Sequence, residues 1–283
     1  MDEIIGRCLG QYKITSKLGE GGLGVVYRGE DQKLEHPVAI KIIKPSDERS
    51  IEWIERFLRE REALARLRGN DRFVRIYHTD ELEDGRPYIV MEYVDGKPLS
   101  SYIGEATPPN LEEMNWRLGK FREILEAVKY AHEKGVVHRN LKPNSIMISS
   151  TGSVKITSFG LALLDGDHKL AQRYHVHHYT PYYSSPEMMF DAKTDNRTDI
   201  YSLGAILYKL LTGETLSSSA LIAGYQSIKE KNPSVSDALS YVVERCLKFK
   251  PETRFRSIQD LLNSFNNACR GEQKPIEGVN KIL

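Results

Sequence analysis

The chain is poor in cysteine and in long apolar runs, and it has no excess of charge of either sign. Its three cysteines, Cys8, Cys246 and Cys269, lie far apart. They lack the paired spacing of a disulfide framework or a structural zinc site, so they read as reduced thiols. No stretch approaches the ~18 apolar residues that span a bilayer. The opening Met1-Asp2-Glu3-Ile4-Ile5-Gly6-Arg7-Cys8 holds no apolar segment of signal-peptide length. These absences predict a cytoplasmic protein with no membrane span. With 40 basic and 39 acidic residues the formal net charge is +1, which disfavours nucleic acid and anionic membranes as partners.

What is present is a chain of 283 residues, 40% hydrophobic, long enough for one large domain or two lobes around a cleft. No internal repeat or low-complexity segment interrupts it. The pattern predicts short strands over Gln11–Leu18, Val25–Glu30, Val38–Ile43, Phe73–Asp80 and Tyr88–Met91, with one helix over Ile51–Arg68. After Gly96 it turns helical, notably over Leu111–Lys134, Thr198–Leu211 and Ser236–Leu247. A polar tail with Gly271 and Pro275 follows Arg270.

Glycines 19, 21 and 24 stand in Gly19-Glu20-Gly21-Gly22-Leu23-Gly24-Val25-Val26-Tyr27. Glycine lets backbone amides approach phosphate oxygens, although an ordinary hairpin turn gives the same spacing. A dinucleotide-binding turn would need a helix to open at the third glycine, whereas Val25-Val26-Tyr27 reads as a second strand. Lys41 ends the apolar run Val38-Ala39-Ile40, either as a solvated edge residue or as a positioned cation. In the helical segment that follows, Glu60, Leu64 and Leu67 share one face. Glu60 is therefore the inward carboxylate, and Glu62 lies on another side.

Further on stand His138-Arg139-Asn140-Leu141-Lys142-Pro143-Asn144-Ser145, Ser158-Phe159-Gly160, Ser185-Pro186-Glu187 and Asp199-Ile200-Tyr201-Ser202-Leu203-Gly204. With the segments above, these cover about residues 12 to 268 and resemble the protein kinase family, most closely its bacterial serine/threonine members. The resemblance implies an α+β, bilobal fold: a small antiparallel N-lobe sheet with one helix, and a larger, mainly helical C-lobe. The kinase-like domain would cover residues 1–270, with the N-lobe at about 1–91, a hinge at 92–97 and the C-lobe at 98–270, followed by a tail at 271–283.

The same resemblance implies a nucleotide site. Gly19, Gly21 and Gly24 would cover the phosphates, Lys41 with its partner Glu60 would hold the α- and β-phosphates, and Lys142 would add a second cation. Met91 is the implied gatekeeper, Glu92 and Val94 offer hinge backbone contacts, and Val26, Ala39 and Met147 would sandwich adenine. His138, Arg139, Phe159, Gly160 and Asp199 would order the scaffold, and Arg254 would pair with Glu187. Thr180 resembles the threonine that supports the substrate platform, but Tyr179 stands where kinases usually have glycine. Arg139 could grip a phosphate on the loop between Gly160 and Ser185.

Where the family places a catalytic Asp, a magnesium-binding Asn and a magnesium-binding Asp, this chain has Asn140, Ser145 and Ser158. An amide can hydrogen-bond a hydroxyl but cannot take its proton. A general base contributes ~10²–10⁴ in rate, so the expectation is a pseudokinase: a nucleotide-binding regulatory or scaffolding module with little or no phosphotransfer. It would bind ATP or ADP weakly and without magnesium, hold no metal, and act on a protein partner such as an active kinase. Two alternatives stay open. One is an unorthodox phosphotransferase or nucleotidyltransferase using Lys41 and Lys142, and the other is a serine/threonine kinase inactivated by engineering. Asn144 could replace Ser145 as a metal ligand only if the backbone turned. His168, His175, His177 and His178 read as a polar loop rather than a metal site.

Overall fold

The computed structural model describes residues 4–21, 24–44, 50–104, 108–165, 180, 182–190, 193–217 and 226–271. The chain divides into two compact units, one of Met1–Ser101 with Tyr130–His177, the other of Tyr102–Lys129 with His178–Leu283.

In the first unit, β1 (Cys8–Leu9), β2 (Tyr12–Glu20), β3 (Gly24–Asp31), β4 (His36–Ile43), β5 (Ile76–Glu81) and β6 (Pro87–Glu92) form one sheet, ordered β1-β2-β3-β4-β6-β5. All its pairings are antiparallel. Alternation along each strand gives the sheet two different faces. Tyr27, Ile40 and Val90 are aligned across three strands and join Ile14, Val38, Ile42 and Tyr88 in one apolar core. The opposite face carries two further rows, Val26 with Lys41 and Ile89, and Arg28 with Ala39 and Met91. Register alone therefore puts Val26, Ala39, Lys41 and Met91 on one surface.

The helix α1 (Ser50–Arg66) buries Phe57, Glu60, Ala63 and Leu64. It stops earlier than the sequence pattern predicts because Gly69 takes a φ of 104°, a left-handed conformation that suits glycine. The predicted strand from Phe73 also starts late, at Ile76. Asn70 holds the chain in a turn first: its side chain accepts from the Arg72 amide at 2.9 Å and its carbonyl from the Phe73 amide at 3.3 Å. Phe73 makes only a single bridge, to Ile156. The strand β1 went unread, since two residues are too few to show alternation. The unit is completed by β7 (Gly96–Pro98), β9 (Ile146–Ser149) and β10 (Val154–Ile156) in a small sheet, and by β8 (Val136–Val137) paired with β11 (Leu163–Leu164).

Helix α2 (Leu111–Glu133) contributes residues 111–129 to the second unit. There follow α3 (Pro186–Met189), α4 (Arg197–Thr212), α5 (Ile228–Lys231), α6 (Asp237–Cys246) and α7 (Ile258–Cys269). Because α4 is apolar nearly all round, it forms the centre of this unit, with Ile200, Leu203, Ile206, Leu207, Leu210 and Leu211 buried. Its Gly204 lies so close to Cys246 that a side chain there would collide with it. Ser236 and Ser257 cap α6 and α7 by accepting from the amides of Leu239 and Asp260 at 3.2 and 3.1 Å. Phe121 meets Phe265 edge-on at 5.1 Å. Among the described residues no helix is long and apolar enough to cross a membrane.

Candidate functional site

Lys41 lies in β4, flanked by β3 and β6, so it is not an edge residue. Its ammonium forms an ion pair with Glu60 of α1, and the side chains are 13% and 3% exposed. Glu62, the second choice from the sequence, points elsewhere and pairs with Arg66 at 2.7 Å. A pair this sheltered keeps much of its attraction, and removal of either partner leaves the other charge uncompensated.

The three glycines do not serve one purpose. Gly24 belongs to β3, and a side chain on it would run into the Ile42 carbonyl of the neighbouring strand. It is required by packing rather than for phosphate approach alone. Gly19 and Gly21 face open space, and the Gly21 amide donates to the Gly24 carbonyl at 2.9 Å across the hairpin. Between them, Glu20 pairs with Lys17 at 2.6 Å and Lys44 at 2.5 Å, and the Lys17 hydrogen bond leads in pulling its carboxyl down to about 2.

At the end of β6, Met91 is buried, and Glu92 is tied down on two sides. Its carboxylate holds Lys155 at 2.6 Å and accepts from the Arg75 amide at 3.2 Å, while its own amide donates to the Arg75 carbonyl at 2.8 Å. The Glu92 amide is thus committed within the protein. Val94 is half-buried, as is Met147, which lies in β9 opposite Pro98 on one side and Lys155 on the other. Sequence reading missed Lys155, which has no periodic or motif signal linking it to Glu92.

The loop from His138 to Ser145 is clamped from within. The His138 Nε2 donates to the Thr157 carbonyl at 2.9 Å, and Nδ1 accepts the Asn140 amide at 3.1 Å, an arrangement that fixes the tautomer. Phe159 lies 4.4 Å from the His138 ring and 5.8 Å from Phe73, and Gly160 beside it is buried. Ser145 is 1% exposed. Its hydroxyl lies 2.9 Å from the Lys142 carbonyl and 3.2 Å from that of Asn140, and it accepts the Lys142 amide at 3.1 Å. It closes the loop. Asn144 beside it is exposed. Lys142 is half-buried, and burial pushes its ammonium pKa down. Arg139 and Ser158 adopt φ of 63° and 70°, costing roughly 1–2 kcal/mol each for residues with a side chain. Such strain concentrates at functional sites.

These donors do not fit a magnesium ion. The Ser145 hydroxyl is spent on its own loop, and the Ser158 hydroxyl, 3.3 Å from that of Thr157, is a neutral oxygen where a hard cation prefers carboxylates. His168, His175, His177, His178 and Tyr179 lie outside the described residues. Among the described residues no group of His, Cys, Asp and Glu is arranged to hold a metal.

In the second unit, Arg254 grips Glu187 with two hydrogen bonds of 2.7 and 2.8 Å. Thr198 donates to the same carboxylate at 3.0 Å. The remaining Arg254 donors go to the carbonyls of Lys248, Phe249 and Arg197. Asp199 is fully buried in α4, and the Thr180 amide donates to the Ser184 hydroxyl at 2.8 Å.

A curled antiparallel sheet with a helix glutamate on its central lysine, followed by a clamped His-Arg loop and a helical unit, is the architecture of the protein kinases. The match to the family model described as protein kinase domain runs over residues 12–265, and the chain belongs to that family. It is 35% identical over 283 residues to a probable serine/threonine-protein kinase of Clostridium acetobutylicum, covering 96% of this chain and 42% of the relative. It is 33% identical over 280 residues to the serine/threonine-protein kinase Pkn1 of Myxococcus xanthus, covering 94% of this chain and 39% of that one. The chain thus spans about two fifths of the length of these relatives. The PknI kinase domain of Mycobacterium tuberculosis shares the fold with a TM-score of 0.73 at 24% identity, over 95% of this chain and 100% of that domain.

These relatives correct the functional expectation. Both are named as serine/threonine-protein kinases, and the likeness extends over 94–96% of this chain. The reading of Asn140, Ser145 and Ser158 as the mark of a pseudokinase, a regulatory module without phosphotransfer, is therefore withdrawn.

Proposed function

We propose that this domain binds ATP and transfers its γ-phosphoryl group to a serine or threonine hydroxyl of a protein partner in the cytoplasm. The ion pair of Lys41 and Glu60 carries the reading: a cation held in the centre of a sheet, on the same face as Val26 and Ala39. The relatives' names support the choice of acceptor. Adenine lies between Val26 and Ala39 on one side and Met147 on the other, with Met91 behind it and backbone groups of Glu92 and Val94 along its edge. Gly19 and Gly21 leave room above the phosphates, and Lys41 and Lys142 supply positive charge.

Phosphoryl transfer asks the protein mainly for positioning and charge stabilisation. Asn140 orients the acceptor hydroxyl by a hydrogen bond, and the hydroxyl proton passes to a phosphoryl oxygen. Without a carboxylate base, worth ~10²–10⁴, turnover on the order of 10⁻⁴ to 1 per second is expected, against roughly 1–100 for kinases. ATP or ADP binds weakly and with little need of magnesium, because Ser158 sets no carboxylate against the phosphates.

Labelled ATP and a serine- and threonine-rich acceptor protein, with magnesium and separately with EDTA, test the proposal. Slow transfer to hydroxyl side chains is expected, reduced by about 100-fold in Lys41→Met. No transfer above background, or transfer indifferent to that substitution, overturns the reading.

A further inference from the structure

Away from that site, the first unit carries an open groove of about 1050 Å³, where the end of α1, the turn after it and β5 come together. Four arginines line it, Arg61, Arg68, Arg72 and Arg75, against a single carboxylate, that of Asp71. Nearby acids are committed elsewhere: Glu62 to Arg66 and Glu92 to Lys155. Arg61, Arg68 and Arg75 are exposed, and their side chains form no hydrogen bond or ion pair among the described residues. A chain whose net charge is only +1 has acids enough to neutralise Arg61, Arg68 and Arg75, yet among the described residues none is paired with these three.

The groove has a second property. Its wall is β5, the edge strand of the six-stranded sheet, paired on one side by β6. An edge strand offers backbone donors and acceptors to an incoming extended chain. Tyr77, 44% exposed on this strand, adds an aromatic surface, and Leu64, Leu67, Phe73 and Val74 form a buried apolar floor.

We propose that this groove docks an acidic segment of a partner protein, laid along residues 76–79 of β5 with its carboxylates held by Arg61, Arg68 and Arg75. The planar guanidinium matches a carboxylate with two parallel hydrogen bonds, and backbone pairing along the edge sets the register of the segment. A peptide fits better than nucleic acid because the positive zone is short. Asp80, Glu81, Glu83 and Asp84 follow directly along the strand and its turn, and a longer phosphodiester chain would run into them. The site is separate from the nucleotide site and does not depend on phosphotransfer.

The test uses the whole chain without nucleotide and a short fluorescent peptide rich in Glu and Asp, followed by anisotropy at low and high salt. Saturable binding is expected, weakening as salt rises. The double variant Arg61→Glu, Arg75→Glu should bind at least ~10-fold more weakly and should instead take up a Lys-rich peptide. Both positions are exposed, and the circular dichroism of the variant should match that of the parent. Absence of peptide binding, equal binding by parent and variant, or tighter binding of single-stranded RNA of the same length overturns the proposal.

Discussion

Glu187 and Arg254 show how a single pair can set the acid limit of a structure. Burial by itself would raise the Glu187 carboxyl, but the hydrogen bonds and charge of Arg254 outweigh it and hold the group below the ordinary glutamate range. A carboxyl depressed in the folded state adds stability that is fully present above its unfolded value, ~4.3. That stability is lost as pH falls through the folded value. Urea unfolding at neutral pH and near pH 3 should therefore show the parent losing stability across this window. Glu187→Gln should be less stable at neutral pH by about 3 kcal/mol, since it leaves a buried guanidinium without its counter-charge, and should lose less on acidification. A parallel loss in both proteins would assign the acid sensitivity to other groups. Residue roles of this kind were legible where two groups belong to one recurring pattern, as with Lys41 and Glu60. They were illegible for Lys155 and Glu92, whose meeting depends on how β6 and β10 are placed.

Among elements, the hairpin of β2 and β3 separates packing from access. Gly24→Ala puts a methyl group against the Ile42 carbonyl, and overpacking of this kind costs ~1–3 kcal/mol. Gly21→Ala meets nothing within 4 Å, so its stability should stay near that of the parent while its affinity for ATP falls. Thermal unfolding with and without ATP in EDTA distinguishes the two, and equal behaviour would refute the division. The element pattern itself was readable from sequence because β2 and β3 alternate in part, as a half-buried sheet does, while β4 and β6 read as short continuous apolar runs covered on both faces. Phe73 misled because it is apolar for another reason: it packs on Phe159 while Asn70 is still turning the chain. The closed ring of hydrogen bonds around Ser145 was also hidden, since a serine in sequence says nothing of the carbonyls it will face.

For the whole molecule, every residue assigned here to ATP lies in the unit of Met1–Ser101 with Tyr130–His177. Ligand that binds only folded protein stabilises it by ~2.7 kcal/mol at a hundred times the dissociation constant. Hydrogen exchange with saturating ATP should show slowed exchange in β2, β3, β4, α1 and residues 138–160, and little change in α4, α6 and α7. Slowing centred on α4 would place the nucleotide elsewhere. The same division has a bearing on biosynthesis. The six-stranded sheet is complete in sequence by Glu92, but the strands and loop that finish its unit, with Phe159 against Phe73, come only after a long passage that belongs to the other unit. At ~5–20 residues per second a ribosome needs roughly 1–6 seconds to cross that passage, Tyr102–Lys129. Throughout that delay Phe73 lacks its Phe159 partner, which leaves an apolar ring of the nascent unit open to chaperones.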